Sequence, residues 1–438
     1  MRGTGPPLLL INPWVYDFAA YDFFAGPLGL LYLAGWLTAC GYEMHLIDCL
    51  GAPHAQSGPF GTGRYAKEIL PTPQPLRGIP RRYGRYGLSE AAFRAQLSRV
   101  PRPAAILVTS LMTYWYPGVA AAISLAREQF PGVPVILGGI YATLCPDHAR
   151  LHANADLVIC GPGEGVILTH LTDLGLKPPL ASISADLDSL PYPGLHLLPH
   201  LSYIPILTSR GCPFDCAYCA SHLLEPRYQR RRPLAVVEEL LHWQDLLDLK
   251  DVAFYDDALL CQPESHLLVI LEELARRGQC FRFHTPNGLH THLITREVAG
   301  WLKKANFATL RLGVETTGLG PQRLDRKLKA GDLETALAHL HEAGFKKEEI
   351  GVYLLMGLPH QEEKEVVNSI RRVKELGGRP ILAQYSPIPG TDLWPEAVKC
   401  SRYDLETDPL FHNNSLFPCR PRFSWPQYTH LKHLAGEG

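Results

Sequence analysis

The sequence predicts an α/β protein made of two successive series of strands and helices, each building a parallel sheet. Three observations predict it. Short apolar runs alternate with helical segments from Leu8 to about residue 175. The alternation restarts at Ile204 and repeats as six β/α units. Glycines gather where strands end, as at Gly138-Gly139 and Gly161-Pro162-Gly163. Strands alternating with helices imply a parallel sheet. Such sheets bind ligands beyond the carboxyl ends of their strands.

In the first series, Leu8–Asn12 reads as a strand and Leu28–Ala39 as a helix stopped by Gly41, a residue suited to the left-handed position after a helix. Strands follow at Met44–Cys49, Ala105–Ser110, Pro134–Leu137 and Asp156–Cys160, with helices around Val119–Gln129 and after Glu164. Residues 50–103 interrupt the series with a Gly-, Pro-, Arg- and Tyr-rich stretch of no sustained period, expected as an irregular, partly ordered excursion over a bound cofactor. This gives a domain over 1–176 with 50–103 as an insertion. A proline-containing linker follows over 177–203.

The second series opens with Ile204–Ser209. Pro233 then begins a helix with Val237, Leu240, Leu241 and Leu247 on its apolar face. Val252–Tyr255, Phe281–Thr285, Thr309–Glu315, Gly351–Met356 and Ile381–Tyr385 complete six strands. Helices fall at 267–275, 297–304, 333–342 and 362–376. Six units make an open partial (β/α)6 barrel over 204–395, whose chemistry belongs at the C-terminal ends of the strands. A tail over 396–438 is expected to pack across the open barrel edge.

Composition narrows the function class. Hydrophobic residues are 46% of the 438, enough for large cores. The formal net charge is -1, so no global basic field points to nucleic acid or an acidic membrane. Arg230, Arg231 and Arg232 are the one strong basic run, which a solvated turn explains. Eleven cysteines in a chain this long do not form a disulfide framework. With no secretory h-region and no apolar stretch of spanning length, a reducing cytoplasm is expected.

Cys212, Cys216 and Cys219 carry the most chemical information, in the run Gly211-Cys212-Pro213-Phe214-Asp215-Cys216-Ala217-Tyr218-Cys219 directly after a strand. Three thiolates can hold a four-iron cluster and leave one iron without a protein ligand, whereas four cysteines close an electron-transfer cluster. A structural zinc wants four ligands in paired spacings, and neither Cys261 nor Cys280 supplies a second pair. The C-x3-C-x2-C loop resembles that of the radical S-adenosylmethionine (SAM) enzymes. The resemblance spans roughly 204–395. It implies a [4Fe–4S] cluster on these three cysteines, with SAM on the open iron cleaved reductively to a 5'-deoxyadenosyl radical.

The same resemblance assigns SAM contacts to strand ends. Asp256, in Phe254-Tyr255-Asp256-Asp257, matches the acidic position that receives the SAM amino group, with Asp257 in reserve. Gly313-Val314-Glu315-Thr316 resembles the ribose and methionine segment, with Glu315 facing ribose hydroxyls. Gly357, in Leu355-Met356-Gly357-Leu358-Pro359, matches the glycine near adenine, where close backbone approach is needed. Tyr218 fits an adenine-packing position. His284, Asn287, His290 and His292 flank the third strand's end; three of these four are expected to be structural or solvated.

The first series resembles the flavodoxin-like, cobalamin-binding domain of cobalamin-dependent radical SAM enzymes. The matching features are Pro27-Leu28-Gly29-Leu30, Gly41-Tyr42 before the Asp48 strand, Thr109-Ser110, Gly138-Gly139 and Gly161 to Glu164. Small residues such as Gly138 and Gly139 would admit a corrin nucleotide tail, and Trp14, Tyr16, Phe18, Tyr21, Phe23 and Phe24 would cover an apolar macrocycle face. The histidine-ligand signature D-x-H-x-x-G is absent; Asp48 to His54 does not reproduce it. Two readings stand, a cobalamin site without a histidine ligand and an empty scaffold.

The reading is a radical SAM enzyme with methyl transfer from cobalamin as first hypothesis. Radical rearrangement, cyclisation or oxidation is the alternative, and a non-catalytic cobalamin- or cluster-binding sensor is the rival outside enzymology. The dispersed Cys40, Cys49, Cys145 and Cys160 disfavour a methylthiotransferase. Expected partners are a small-molecule or peptide substrate and a reducing electron donor such as flavodoxin or ferredoxin, without nucleic acid or membrane. No residue is assigned as catalytic. Cys400 and Cys419 in the tail are left with packing or an auxiliary cluster as alternatives.

Overall fold

The computed structural model describes residues 5–180, 186–318, 324–420 and 422–436. Part of the expected linker, 181–185, lies outside these. The chain divides into two compact units, residues 1–202 with 407–412, and residues 203–406 with 413–438.

The first unit is built on a parallel sheet of five strands: β1 (Pro7–Asn12), β2 (Glu43–Asp48), β3 (Ala105–Val108), β4 (Val135–Leu137) and β5 (Leu157–Val158), in the order β5-β4-β3-β1-β2. The interior position of β1, paired on both sides, explains the sequence Leu8-Leu9-Leu10-Ile11. Helices cover both faces of such a sheet, so both sides of the pleat are apolar, and all four side chains are fully buried. Each contributes about 1.5–3 kcal/mol by leaving water. The strand order reverses between β1 and β3, which opens a crevice at their carboxyl ends. The helix Leu28–Ala39 ends as expected, with Gly41 at φ +95°.

The stretch 50–103 is more ordered than its composition suggests. Val15–Asp17, Gly84–Tyr86 and Lys67–Ile69 form one small antiparallel sheet, and Tyr21–Asp22, Gly63–Arg64 and Gln56–Ser57 form another. Glu90–Leu97 is a helix whose N-terminus is capped by Ser89. The aromatic run before the first helix is therefore not one exposed cover. Trp14 and Phe18 are buried, Trp14 against Phe93 at 4.6 Å, while Tyr21 and Phe23 stay exposed and stack on each other at 5.3 Å. Thr113 Oγ1 lies 2.9 Å from Nδ1 of the buried His412, so the tail expected over 396–438 contributes one piece to this unit.

The second unit holds a parallel sheet of seven strands: β6 (Ile204–Ile206), β7 (Asp251–Phe254), β8 (Arg282–His284), β9 (Leu289–His290), β10 (Phe307–Glu315), β11 (Ile350–Met356) and β12 (Arg379–Gln384). The path runs β6-β7-β8-β10-β11-β12, and β9 pairs beside β10. Six of these match the six expected strands. The two-residue β9 carries no alternation long enough to reveal it. β6 is shorter than expected because the chain breaks at Leu207 and resumes in a ribbon with Gln229–Arg230. The helix Trp425–Ala435, with a Ser424–Gln427 capping box, packs against β12 and the helix Glu363–Glu375, covering the free edge of the path. Among the described residues, no helix is long and apolar enough to cross a membrane.

Behind β6 lies a buried ion pair. Arg231 Nη1 sits 2.5 Å from Glu239 Oε2, with the side chains 5% and 0% exposed. The same guanidinium donates to the Leu207 carbonyl at 3.0 Å, and the Arg231 amide donates to the Thr208 carbonyl at 2.9 Å. The expected solvated turn at 230–232 is thus corrected for its middle residue: Arg231 anchors the end of β6. Removing one partner of such a pair strands the other charge. Arg231→Met should cost about 3–5 kcal/mol. Arg231→Met with Glu239→Leu should recover most of that loss, read as the denaturation midpoint of the full chain.

Candidate active site

The cysteine loop begins where β6 ends, and Asp256 fixes its start. The Asp256 carboxylate is buried and accepts hydrogen bonds from Thr208 N at 3.1 Å, Thr208 Oγ1 at 2.7 Å and Ser209 Oγ at 2.6 Å. Burial raises its carboxyl pKa, against the pull of these donors. Asp256, expected from the sequence to receive the SAM amino group, has its carboxylate engaged by Thr208 and Ser209. The next residue points the other way. Asp257 lines a cavity of about 400 Å³ together with Cys212, Cys216, Cys219, Tyr218 and Glu315. Neighbouring protein atoms partly desolvate its carboxyl and raise its pKa, partly offset by a hydrogen bond from Ser221, although the residue stays solvent-exposed.

Gly211 turns the chain into the loop at φ +74°, and a Cβ there would stand 2.8 Å from the Arg227 carbonyl. Only glycine adopts this conformation without strain. Further pins hold the loop: Ala217 N donates to Leu324 O at 2.7 Å, Leu393 N to Ala217 O at 2.8 Å, and Cys216 Sγ to Asp325 O at 3.3 Å. Burial pushes the Cys212 thiol up to about 11, and raises Cys216. Iron binding must therefore displace protons from these thiols. Among the described residues, no three His, Cys, Asp or Glu side chains converge on a point as a single metal ion needs. A cluster binds each thiolate at a separate corner iron, and three thiols spread around one cavity wall fit that geometry.

Glu315 is aimed by a distortion in its strand. The register of β10 against β11 shifts between Gly313 and Glu315, and Glu315 takes φ +62°. A bulge re-aims a side chain in this way, and a non-glycine residue at positive φ marks stored strain, commonly at functional sites. The carboxylate faces both the 400 Å³ cavity and an adjoining one of about 700 Å³. Tyr218 lines both cavities as well. Its hydroxyl hydrogen-bonds with Glu315 and Cys216, and burial, then these two groups, raise its pKa. Gly357 supplies a turn at φ +92° and gives its N–H to Gln361 Oε1 at 2.8 Å; its successors Leu358 to Gln361 form the wall of the larger cavity.

Lys327 was not legible as a site residue. Desolvation pulls its ammonium down, but Glu315, Cys216, Asp325 and Cys212 outweigh it and hold the group above its ordinary pKa. It completes the cavity wall with Asn287 and His290. No motif announced it, because it sits in a basic run with Arg326 and Lys329, away from the strand-end motifs. Of the four residues flanking β8, Asn287 and His290 thus line the cavity, one more than expected. His284 is fully buried, with Nε2 2.7 Å from Asp251 Oδ1, and His292 packs on Phe214 at 5.3 Å.

In the first unit, Gly138 and Gly139 stand at the carboxyl end of β4 and differ sharply. Gly139 has φ +93°, and a Cβ there would lie 2.4 Å from the Ser110 carbonyl. A Cβ on Gly138 would meet nothing closer than 4.0 Å. Gly139 thus serves close packing, and Gly138 leaves open space at the sheet edge. His54 is engaged by Asp22, Nε2 to Oδ2 at 3.3 Å. Cys400 and Cys419 are free thiols that hydrogen-bond with each other and are joined by no third ligand among the described residues.

The two adjacent carboxylates should separate in mutagenesis. Asp256→Ala strands the donors of Thr208 and Ser209 and should cost on the order of 3 kcal/mol. Asp257→Ala, at the cavity wall, should leave the denaturation midpoint of the full chain within the range of a surface change.

The geometry agrees with comparisons to known proteins. The Radical SAM superfamily model matches residues 206–373. An uncharacterized methyltransferase of Pyrococcus horikoshii is 25% identical over 396 residues, covering 80% of each chain. A cytidylyl-2-hydroxyethylphosphonate methyltransferase of Streptomyces wedmorensis is 22% identical over 469 residues, covering 91% of this chain and 83% of its own. The structure of TsrM, a radical SAM methyltransferase from Kitasatospora setae with cobalamin and [4Fe–4S] cluster bound, superposes with a TM-score of 0.65 at 15% identity, over 94% of this chain and 82% of that one. Residues 206–373 thus form the radical SAM domain of an enzyme that works with a [4Fe–4S] cluster and SAM, and the N-terminal unit has the fold of a cobalamin-binding-type domain.

Proposed function

We propose that this enzyme is a cobalamin-dependent radical SAM methyltransferase of the cytoplasm, supplied with electrons by a low-potential donor such as a flavodoxin or ferredoxin. One observation carries the reading: the three thiols share a cavity with Tyr218, Asp257, Glu315 and Lys327. When bound, the cluster supplies the electron that cleaves SAM, and a corrinoid supplies a methyl group for transfer.

The side chains suit the zwitterionic end of SAM. Cys212, Cys216 and Cys219 hold the cluster. Asp257 accepts from the amino group, and Lys327 donates to the carboxylate. Glu315 accepts from ribose hydroxyls, its direction fixed by the bulge. Tyr218 holds Glu315 in place and packs along the adenosine, whose base lies on the Leu358–Gln361 wall near Gly357.

Methyl transfer is favoured over rearrangement because the relatives aligned over most of the chain carry the name methyltransferase. The open space at Gly138 supports a corrin nucleotide tail beyond the sheet, and the absence of D-x-H-x-x-G from the 48–54 segment supports binding without a histidine ligand.

Replacing Cys212, Cys216 and Cys219 with Ala should abolish iron binding; full iron content in that variant overturns the cluster assignment. Asp257→Ala and Lys327→Met should each weaken SAM affinity on the order of 10- to 100-fold, the loss of one charge-assisted hydrogen bond. Anaerobic calorimetry on the cluster-loaded protein checks this, and unchanged affinity in both removes the assignment.

Gly138→Leu should cut corrinoid retention after anaerobic reconstitution and desalting while leaving the denaturation midpoint nearly unchanged. Gly139→Leu is the less informative change, because it strains the backbone. An unaltered protein that retains no corrinoid overturns the cobalamin part of the reading.

A further inference from the structure

His290 is the one histidine on the wall of the cysteine cavity. Its Nε2 lies 3.8 Å from Sγ of Cys212, within hydrogen-bonding range for sulfur. Three contacts fix the ring. Its strand, β9, pairs with Leu312 and Gly313 of β10. The neighbouring Thr291 Oγ1 donates to the Gly313 carbonyl at 3.0 Å. Phe214, between the first two cysteines of the loop, lies against the imidazole at 4.4 Å between centroids. The side chain is 3% exposed, so water does not compete for its nitrogens.

The direction of the hydrogen bond follows from chemistry. A free thiol can donate or accept, but a thiolate bound to iron has no proton and can only accept. Nε2 must then carry the hydrogen. A neutral imidazole has one N–H, so Nδ1 is left bare. In the structure Nδ1 has no hydrogen-bond partner among the described residues, as this tautomer requires no acceptor there. A hydrogen bond to a cluster thiolate draws electron density from sulfur and favours the reduced state, one of the protein's main levers on cluster potential.

We propose that His290 is a positioning residue for the cluster ligand Cys212, donating from Nε2 to its sulfur and raising the reduction potential of the cluster. The inference rests on the reading of Cys212, Cys216 and Cys219 as cluster ligands, and concerns how readily the cluster accepts the electron that SAM cleavage consumes.

The test is a redox titration of the anaerobically reconstituted full chain, followed by the paramagnetic signal of the reduced cluster. His290→Phe keeps an aromatic ring against Phe214 but removes the donor, and should titrate at a lower potential. His290→Gln restores an N–H donor and should move the potential back toward that of the unaltered protein. A His290→Phe variant with full iron content and an unchanged potential overturns the proposal. Should that variant fail to keep its cluster, the unaltered protein labelled with 15N-histidine decides. Its reduced cluster should show a nitrogen hyperfine coupling, and absence of that coupling overturns the proposal. Failure of the unaltered protein itself to hold iron overturns the cluster assignment as well, a result distinct from a loaded cluster at an unshifted potential.

Discussion

The hydrogen bonds that Asp256 accepts from Thr208 and Ser209 decide where the cysteine loop leaves its strand. They tie the end of β6 to the end of β7 through one buried carboxylate. Everything in the cavity is placed relative to that tie. Behind it, Arg231 and Glu239 brace the same strand end from the other side. Beyond it, Gly211 turns the chain so that three thiols open onto one space. A buried carboxylate facing hydroxyls and an amide is stiffer than an apolar contact, because each lost donor costs a full desolvation term. Stiffness is what a multi-iron ligand set requires, since three ligands on a short loop must keep their spacing before the metal arrives.

The adjacent pair Asp256-Asp257 shows how a strand end divides labour. Both residues follow β7, which ends at Phe254. Asp256 is buried and bonded to Thr208 and Ser209, and Asp257 lines the cavity. The first stabilises the scaffold and the second remains available, so the same residue type at neighbouring positions performs unlike tasks. Gly138 and Gly139 repeat the pattern without side chains. One is demanded by a positive φ and a touching carbonyl, and the other by nothing in its own surroundings. A glycine that the fold does not require is the more telling of the two.

Much of this was legible in the sequence, and the illegible part has physical causes. The helices Leu28–Ala39 and Pro233–Leu247 carried clear stop and start signals, and the interior strand β1 announced itself by an unbroken apolar run. The cysteine spacing named its chemistry outright. Which of Asp256 and Asp257 faces inward could not be read, because both lie beyond β7, where strand alternation no longer applies. Lys327 was hidden because a lysine in a basic run usually meets solvent; only the carboxylate and thiols around it reveal its place. The strands of 50–103 are two or three residues long, shorter than any period can show. The Glu90–Leu97 helix did carry a signal, Ser89 before an acidic first turn, but the surrounding glycines and prolines outweighed it.

Residues 407–412 belong to the first unit, where the buried His412 meets Thr113. This bears on how the chain is made. Domains that are continuous in sequence can fold as they emerge from the ribosome, N-terminal first. Here the first unit lacks its closing segment until the strands and helices of the second have been synthesised. Its parallel sheet can assemble early, yet Thr113 lacks its His412 partner until residues 203–406 have been made. A nascent chain cut after residue 202 would carry the whole sheet but expose the surface that those last residues cover. The final packing step of the first unit thus follows synthesis of residues 203–406, and completion of one unit is coupled to production of the other.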